Sequence, residues 1–163
     1  IRAALEEEGQ AAELVVQEQP TGMGDAVLLA RRSRRYTPSC HLLLAWGDIP
    51  LLDERTIAAM VERHIAAGND FTFVTRHVDQ AYTRVVRDGA GRVTALEETR
   101  ELGVEPARGE RDIGLFVFRA GPILDLLERH RPEGLGRTTG EHGFLYIVAY
   151  AAAAGLQVEA LPI

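Results

Sequence analysis

The stretch Leu42-Leu43-Leu44-Ala45-Trp46-Gly47-Asp48-Ile49-Pro50 decides the fold of this chain. Its apolar first half is typical of a buried strand, and Gly47 allows the backbone to turn out of the sheet after it. Asp48 then stands at the carboxyl end of the strand, which is the edge where ligands bind in open α/β sheets. Asp48 is therefore a candidate for holding Mg²⁺ against a phosphate. The alternative is a residue that only begins a turn before Pro50.

The segments on both sides alternate between strand and helix patterns. Strands are predicted at residues 13–17, 41–46, 71–75, 83–87, 92–96, 113–118 and 157–161, and helices at residues 1–8, 25–35, 53–67, 122–130 and 141–154. Asp25 and Asp53 stand at helix N-cap positions, residues 88–91 form a hairpin turn, and residues 98–111 are predicted to be an exposed loop. This order predicts an α/β fold, a three-layer sandwich with a mixed, mostly parallel sheet.

Composition limits the classes of protein that this chain can represent. Its 163 residues, 46% of them hydrophobic, suffice for one domain, and a net charge of −6 argues against a nucleic-acid or membrane-surface binder. The single cysteine, Cys40, cannot form an internal disulfide, and no Cys/His cluster has zinc-ligand spacing. Neither a signal peptide nor a run of about 18 apolar residues is present, so we expect a cytoplasmic protein.

Two further features concern the basic residues and the ends of the chain. All 18 basic residues are arginine, so the chain offers no flexible ammonium group to a phosphate. The first residue lies inside a predicted helix and the last lies in or just after a strand. We therefore predict that residues 1–163 are a single domain and a fragment of a longer protein. An upstream strand would leave a sheet edge exposed here, which favours a homo-oligomer.

Three more segments carry candidate binding residues, each with a plainer alternative. The loop Gly22-Met23-Gly24 could let backbone amides approach a planar base, or it could be only a tight turn. Glu97, at the end of a hairpin strand, could accept hydrogen bonds from sugar hydroxyls or could be a solvated strand end. Asp112 precedes a strand in which Gly114 could leave room for a ligand; the alternative is a turn residue followed by a bulge.

Residues 17–27, 43–52, 82–97 and 112–118 together resemble the nucleotidyltransferases that activate sugar 1-phosphates. They are most similar to the uridylyltransferase domain of bacterial N-acetylglucosamine-1-phosphate uridylyltransferases, and they occur in the family's order at compatible spacings. The resemblance implies the Rossmann-like fold of nucleotide-diphospho-sugar transferases, incomplete on its N-terminal side. The family's glycine-rich triphosphate loop would lie upstream of residue 1.

The resemblance also implies a reaction and its residues. The reaction is Mg²⁺-dependent transfer of a nucleotidyl group from a nucleoside triphosphate, expected to be UTP, to a sugar 1-phosphate, with release of pyrophosphate. Its product would be a UDP-sugar for cell-wall precursor biosynthesis. The site residues implied are nucleotide-binding Gln17, Gly22, Met23 and Gly24, catalytic and metal-binding Asp48, and sugar-binding Thr83, Glu97 and Asp112.

The chain departs from the family pattern at several of these positions. Met23 replaces a usual threonine, Asp25 a common histidine, Thr83 a glycine and Asp112 an asparagine, and the segment after Glu141 begins with His142. These departures, with the missing lysine, motivate an alternative function: a non-catalytic module that keeps the fold to bind a nucleotide sugar or to assemble. They also predict that this segment alone is inactive.

Overall fold

The computed structural model describes Glu7 and residues 12–49 and 52–163. The helix predicted over residues 1–8 lies outside these described residues, apart from Glu7. Within the described part of the chain, no helix is long and apolar enough to cross a membrane.

Helices and strands alternate along most of the chain, and a hairpin interrupts them in the middle. The helices are α1 (Met23–Leu28), α2 (Glu54–Ala67), α3 (Thr99–Leu102), α4 (Ala120–Arg129) and α5 (Ile147–Ala153), and a 3-10 helix at Leu29–Arg32 follows α1. The strands are β1 (His41–Ala45), β2 (Phe71–Ala81), β3 (Thr83–Arg87), β4 (Val93–Glu98), β5 (Ala107–Arg119) and β6 (Val158–Pro162).

Four strands form one mixed sheet in the order β1-β5-β2-β6, and β3 pairs with β4 in a separate antiparallel hairpin. Strand β5 runs antiparallel to both of its neighbours, whereas β2 and β6 are parallel. Strands β1, β2 and β6 therefore point the same way, and only β5 opposes them. The predicted α/β sandwich with a mixed sheet is confirmed.

Alternating side chains of β2 divide the core between the two faces of the sheet. Phe71 and Phe73 belong to a large apolar cluster that includes residues of α4 and α5. Val74 points to the opposite face and packs in a second cluster with Met60 of α2. Because successive strand residues face opposite sides, one strand can contribute to both clusters. Helices thus cover both faces and form the outer layers of the sandwich.

Local signals located α2 correctly. The Asp53 side chain accepts a hydrogen bond from the Arg55 backbone N–H at 3.2 Å, as an N-cap residue does. At the other end, Gly68 adopts a left-handed conformation with φ of 65°, which ends the helix.

Four predicted elements were wrong. Residues 13–17 form no strand, and their exposed valines pair with no strand among the described residues. Asp25 is not an N-cap, because α1 begins two residues earlier, at Met23, and α1 ends at Leu28. Residues 98–111 are not a loop: they contain α3 and the first half of β5. The last helix begins at Ile147 rather than at 141, after the glycines at 140 and 143.

Both ring nitrogens of His64 in α2 are in hydrogen-bond contact with residues of the sheet. His64 is fully buried, its Nδ1 is 2.9 Å from the Thr72 hydroxyl oxygen, and its Nε2 is 2.8 Å from Nδ1 of His41. Burial, assisted by the neighbouring His41, lowers the pKa of His64. The buried ring is therefore held in its neutral form.

We expect the free energy of unfolding to decrease as the pH falls below 6.5, the ordinary pKa of histidine. Because the folded-state pKa of His64 is depressed, the unfolded chain binds the proton first, and protonation favours unfolding. Urea unfolding between about pH 8 and pH 5 measures this slope. A His64→Gln variant should flatten the curve, whereas His77→Gln, at an exposed histidine, should leave it unchanged. Equal slopes in all three proteins would contradict the prediction.

Candidate active site

A cleft of about 1010 Å³ opens at the carboxyl end of β1. Four of the predicted site residues line it: Met23, Asp48, Thr83 and Asp112. They come from the first residue of α1, the turn after β1, the start of β3 and the middle of β5. The structure therefore brings together predicted nucleotide-binding, metal-binding and sugar-binding residues at the carboxyl edge of β1.

Asp48 is exposed to this cleft directly after β1. No group of three or more His, Cys, Asp or Glu side chains that could hold a metal lies among the described residues. Mg²⁺, however, commonly binds through one or two carboxylates and completes its shell with substrate phosphates and water. One exposed carboxylate in a large cleft fits an ion that arrives with a nucleotide.

Asp112 is buried and its carboxylate is already bonded on both oxygens. The Thr83 hydroxyl donates to Oδ1 at 2.6 Å, and the Gly114 backbone N–H donates to Oδ2 at 2.9 Å. Asp112 thereby fixes Thr83 of the hairpin against the main sheet. Two of the three predicted sugar-binding residues, Thr83 and Asp112, are thus hydrogen-bonded to each other, and the pair forms part of the cleft wall.

Gly114 does not leave room for a ligand. It lies where the register of β2 against β5 shifts, with φ of 76°, and a Cβ there would sit 2.1 Å from Cδ1 of Trp46 and 2.4 Å from Cδ1 of Ile49. The side chains of Trp46 and Ile49 occupy the space beside its backbone. The alternative interpretation of this glycine, a bulge, is the one that the structure has.

Two adjacent glutamates at the end of β4 have different surroundings. Glu97 accepts hydrogen bonds from Nε and Nη2 of Arg84, its cross-strand partner, at 3.0 and 2.7 Å. It lines a second cavity of about 340 Å³ but not the Asp48 cleft. Glu98 lines both cavities, and burial raises its pKa despite the nearby Arg100.

Glu98 is not among the site residues predicted from the sequence, which included its neighbour Glu97. The alternation of side chains along β4 could have indicated Glu98, because Leu96 is buried and residue 98 lies on the same face of the strand. Of the two carboxylates, Glu98 is the one that a ligand in the Asp48 cleft can reach.

The predicted base-binding loop is packed tightly against residues 142 and 143. The Gly24 backbone N–H donates to the His142 carbonyl oxygen at 2.8 Å, and the His142 N–H donates to the Thr21 carbonyl oxygen at 2.8 Å. A Cβ at Gly22 would lie 2.4 Å from the His142 carbonyl oxygen, and one at Gly24 would lie 2.2 Å from that of Gly143. Both glycines are therefore needed for close backbone contact, and the Gly24 amide is already bonded.

Gln17 and Met23 complete this loop. The Gln17 side-chain amide donates to the Gly22 carbonyl oxygen at 3.0 Å and to the Thr21 hydroxyl at 3.3 Å, which ties the preceding segment to the loop. Gln17 lines a separate shallow depression, whereas Met23 lines both the Asp48 cleft and the second cavity. Gln17 thus contacts the loop itself, while Met23 is the loop residue that borders the cleft.

Asp25 is the centre of a polar network beneath the loop. Its carboxylate accepts from Nε and Nη2 of Arg131 at 2.9 and 2.7 Å and from the Nδ1–H of fully buried His142 at 2.8 Å. Nε2 of His142 lies 2.9 Å from the Tyr146 hydroxyl oxygen. The hydrogen bonds from Arg131, aided by Thr21 and His142 and opposed by burial, hold the pKa of Asp25 well below its usual range.

Comparisons with known proteins relate the chain to one group of bacterial proteins, all of the same name. No family model matches it. It is 33% identical over 165 residues to "Bifunctional protein GlmU" of Streptomyces coelicolor. The matched region covers 98% of this chain and 33% of that protein. The protein of the same name from Kineococcus radiotolerans is 31% identical over 164 residues, covering 99% of this chain and 33% of the relative. The chain thus spans about one third of the length of these relatives.

The sheet and its helices define a Rossmann-like α/β fold with a large cleft at the carboxyl edge of β1. Within that class the chain is related to the GlmU proteins over about one third of their length. The relationship that the sequence indicated is confirmed as a similarity to the GlmU proteins over nearly the whole of this chain.

Proposed function

We propose that the protein transfers a uridylyl group from UTP to a sugar 1-phosphate with the help of Mg²⁺ and releases pyrophosphate. The main support is the cleft that gathers Asp48, Met23, Thr83 and Asp112 in a chain related to GlmU. Bound Mg²⁺ would neutralise the charge that builds on the phosphates during the transfer. The remaining steps are positioning, because such a transfer needs little covalent chemistry from the protein.

Each wall of the cleft has its own part in this proposal. Asp48 would hold the metal, which would supply positive charge to the phosphates of the nucleotide. The loop that contains Met23 borders the base and is supported from below by the Asp25 network. The Thr83–Asp112 pair shapes the wall beside the sugar, and Glu98 offers a carboxyl group to its hydroxyls. The attacking sugar-phosphate oxygen and the leaving pyrophosphate are thereby aligned at the α-phosphorus.

A second candidate function is a non-catalytic module that binds a nucleotide sugar. The observation that favours it is the internal use of the predicted sugar-binding carboxylates: Asp112 is bonded to Thr83 and Gly114, and Glu97 is paired with Arg84. A module of this kind would bind nucleotide without turnover.

We expect an Asp48→Asn substitution in the full-length protein to lower the rate of pyrophosphate release by at least about 100-fold, because it removes the charge that holds the metal. Pyrophosphate release is measured with Mg²⁺ across four nucleoside triphosphates and a panel of sugar 1-phosphates. Asp79→Asn, at an aspartate whose side chain is 96% exposed, is the matched control and should keep full activity. If the protein binds nucleotide but no combination of nucleoside triphosphate and sugar 1-phosphate releases pyrophosphate, the non-catalytic module is favoured instead.

A further inference from the structure

Two arginines stand directly opposite each other on neighbouring strands of the cleft wall. Arg76 of β2 and Arg111 of β5 are Cα partners in the antiparallel register. Side chains of such a pair project from the same face of the sheet, and both of these line the Asp48 cleft. The cleft therefore has two adjacent guanidinium groups in addition to the carboxyl groups that line it, which are those of Asp48, Asp53, Glu98 and Asp112.

Neither of these two arginines forms an ion pair with a carboxylate among the described residues. The arginines on the adjacent strand β3 contrast with them: Arg84 pairs with Glu97, and Arg87 pairs with Glu110. Like charges directly opposite each other on a sheet reduce stability. Two facing guanidinium groups inside a cleft are thus a local cost of folding that a bound anion would offset.

The geometry of Arg111 is fixed before any ligand arrives. Its Nε–H donates to the Asp112 carbonyl oxygen at 3.0 Å, and its guanidinium carbon lies 4.0 Å from the centroid of the Tyr82 ring. A guanidinium that is stacked and bonded through Nε keeps its terminal N–H groups for a ligand. Arg76 is exposed beside it and can turn toward the same anion.

We propose that Arg76 and Arg111 form a phosphate-binding pair in the Asp48 cleft. Guanidinium groups bind phosphate oxygens through paired, charge-assisted hydrogen bonds, and this chain has no lysine to do so instead. The ligand is a phosphate monoester. Its assignment to the sugar 1-phosphate rests on the proposed function, whereas the binding of phosphate does not.

The test measures binding of inorganic phosphate and of glucose 1-phosphate to the full-length protein by titration calorimetry. Arg76→Gln and Arg111→Gln should each weaken binding by about tenfold or more. Arg108→Gln is the matched control, because Arg108 lies on the same strand outside the cleft with 87% of its side chain exposed. Native affinity in both cleft variants would overturn the proposal, and so would an equal loss in the Arg108 variant.

Thermal unfolding separates a binding role from a structural one. Without ligand, Arg76→Gln should melt at or above the temperature of the unmodified protein, because it relieves the repulsion with Arg111. Phosphate should then raise the melting temperature of the unmodified protein more than that of the variant at the same concentration. A marked loss of stability in ligand-free Arg76→Gln would show that the arginine is structural and would overturn the proposal.

The two proposals fail in different ways. Arginine-dependent phosphate binding without turnover of any substrate pair would end the proposed function and leave this site standing. Turnover in which Arg76→Gln leaves the KM for the sugar phosphate unchanged would keep the function and reject the site. Tighter binding of glucose 1-phosphate than of inorganic phosphate would identify the sugar ester as the ligand, whereas the reverse order would reject that assignment.

Discussion

An Asp25→Ala substitution is expected to lower the free energy of unfolding by about 2–3 kcal/mol, because it leaves a buried donor unpaired and removes an ion pair whose arginine side chain is 44% exposed. Asp25 accepts hydrogen bonds from two nitrogens of Arg131 and from Nδ1 of His142, which has no exposed surface. Without the carboxylate, the buried ring nitrogen loses its acceptor and the arginine loses its partner. Urea unfolding at neutral pH, followed by circular dichroism, measures the loss.

The matched control is another aspartate that pairs with an arginine. Asp125 binds Arg31 on the surface, and 64% of the Asp125 side chain is exposed. Asp125→Ala should cost less than about 1 kcal/mol, because water replaces the lost partner. If the two substitutions destabilise the protein equally, the network around Asp25 is only another surface ion pair.

A stability loss of this size should also loosen the packing of residues 21–24. Backbone hydrogen bonds join Thr21 and Gly24 to His142, so the ring that Asp25 holds belongs to the residue against which the loop packs. Two of the departures from the family pattern, at positions 25 and 142, are therefore in direct contact. The carboxylate of Asp25 gives the buried ring of His142 its hydrogen-bond acceptor.

Local patterns predicted the frame of the fold because the physics behind them is local. Asp53 and Gly68 end α2 through their own backbone and side-chain preferences. The charged first half of β5 could not be recognised in this way. Glu110 accepts from Thr75 at 2.7 Å and from Arg87, and residues 107–111 are a strand because β2 pairs with them. Tertiary pairing here overrides a polar sequence.

In the candidate site, too, local sequence signals predicted the position of a residue but not its contacts with residues far away in the sequence. Asp48 could be placed at the ligand edge, because the strand and glycine before it fix its position. The contact between Asp25 and His142 joins residues 117 positions apart, and no local pattern predicts it. The partners of Asp112 and Glu97 were likewise invisible in the sequence. Both carboxylates were expected to face a sugar, and both are bonded within the protein.

A Gly24→Ala substitution is expected to cost about 3 kcal/mol of unfolding free energy. The added Cβ would lie 2.2 Å from the Gly143 carbonyl oxygen and 2.8 Å from atoms of the His142 ring. The first contact is with backbone, so the loop and residues 142–143 must separate. That movement breaks the hydrogen bond from the Gly24 N–H to the His142 carbonyl oxygen.

Gly89→Ala is the matched control for this substitution, because nothing lies within 4 Å of a Cβ at that turn position. It should change stability by less than about 0.5 kcal/mol. Nucleotide affinity is the second measurement, since Met23 borders the cleft between two glycines that both touch residues 142–143. Gly24→Ala should therefore weaken nucleotide binding under conditions where the variant is still folded. A folded variant with native affinity would mean that the backbone contact supports the fold without positioning the loop.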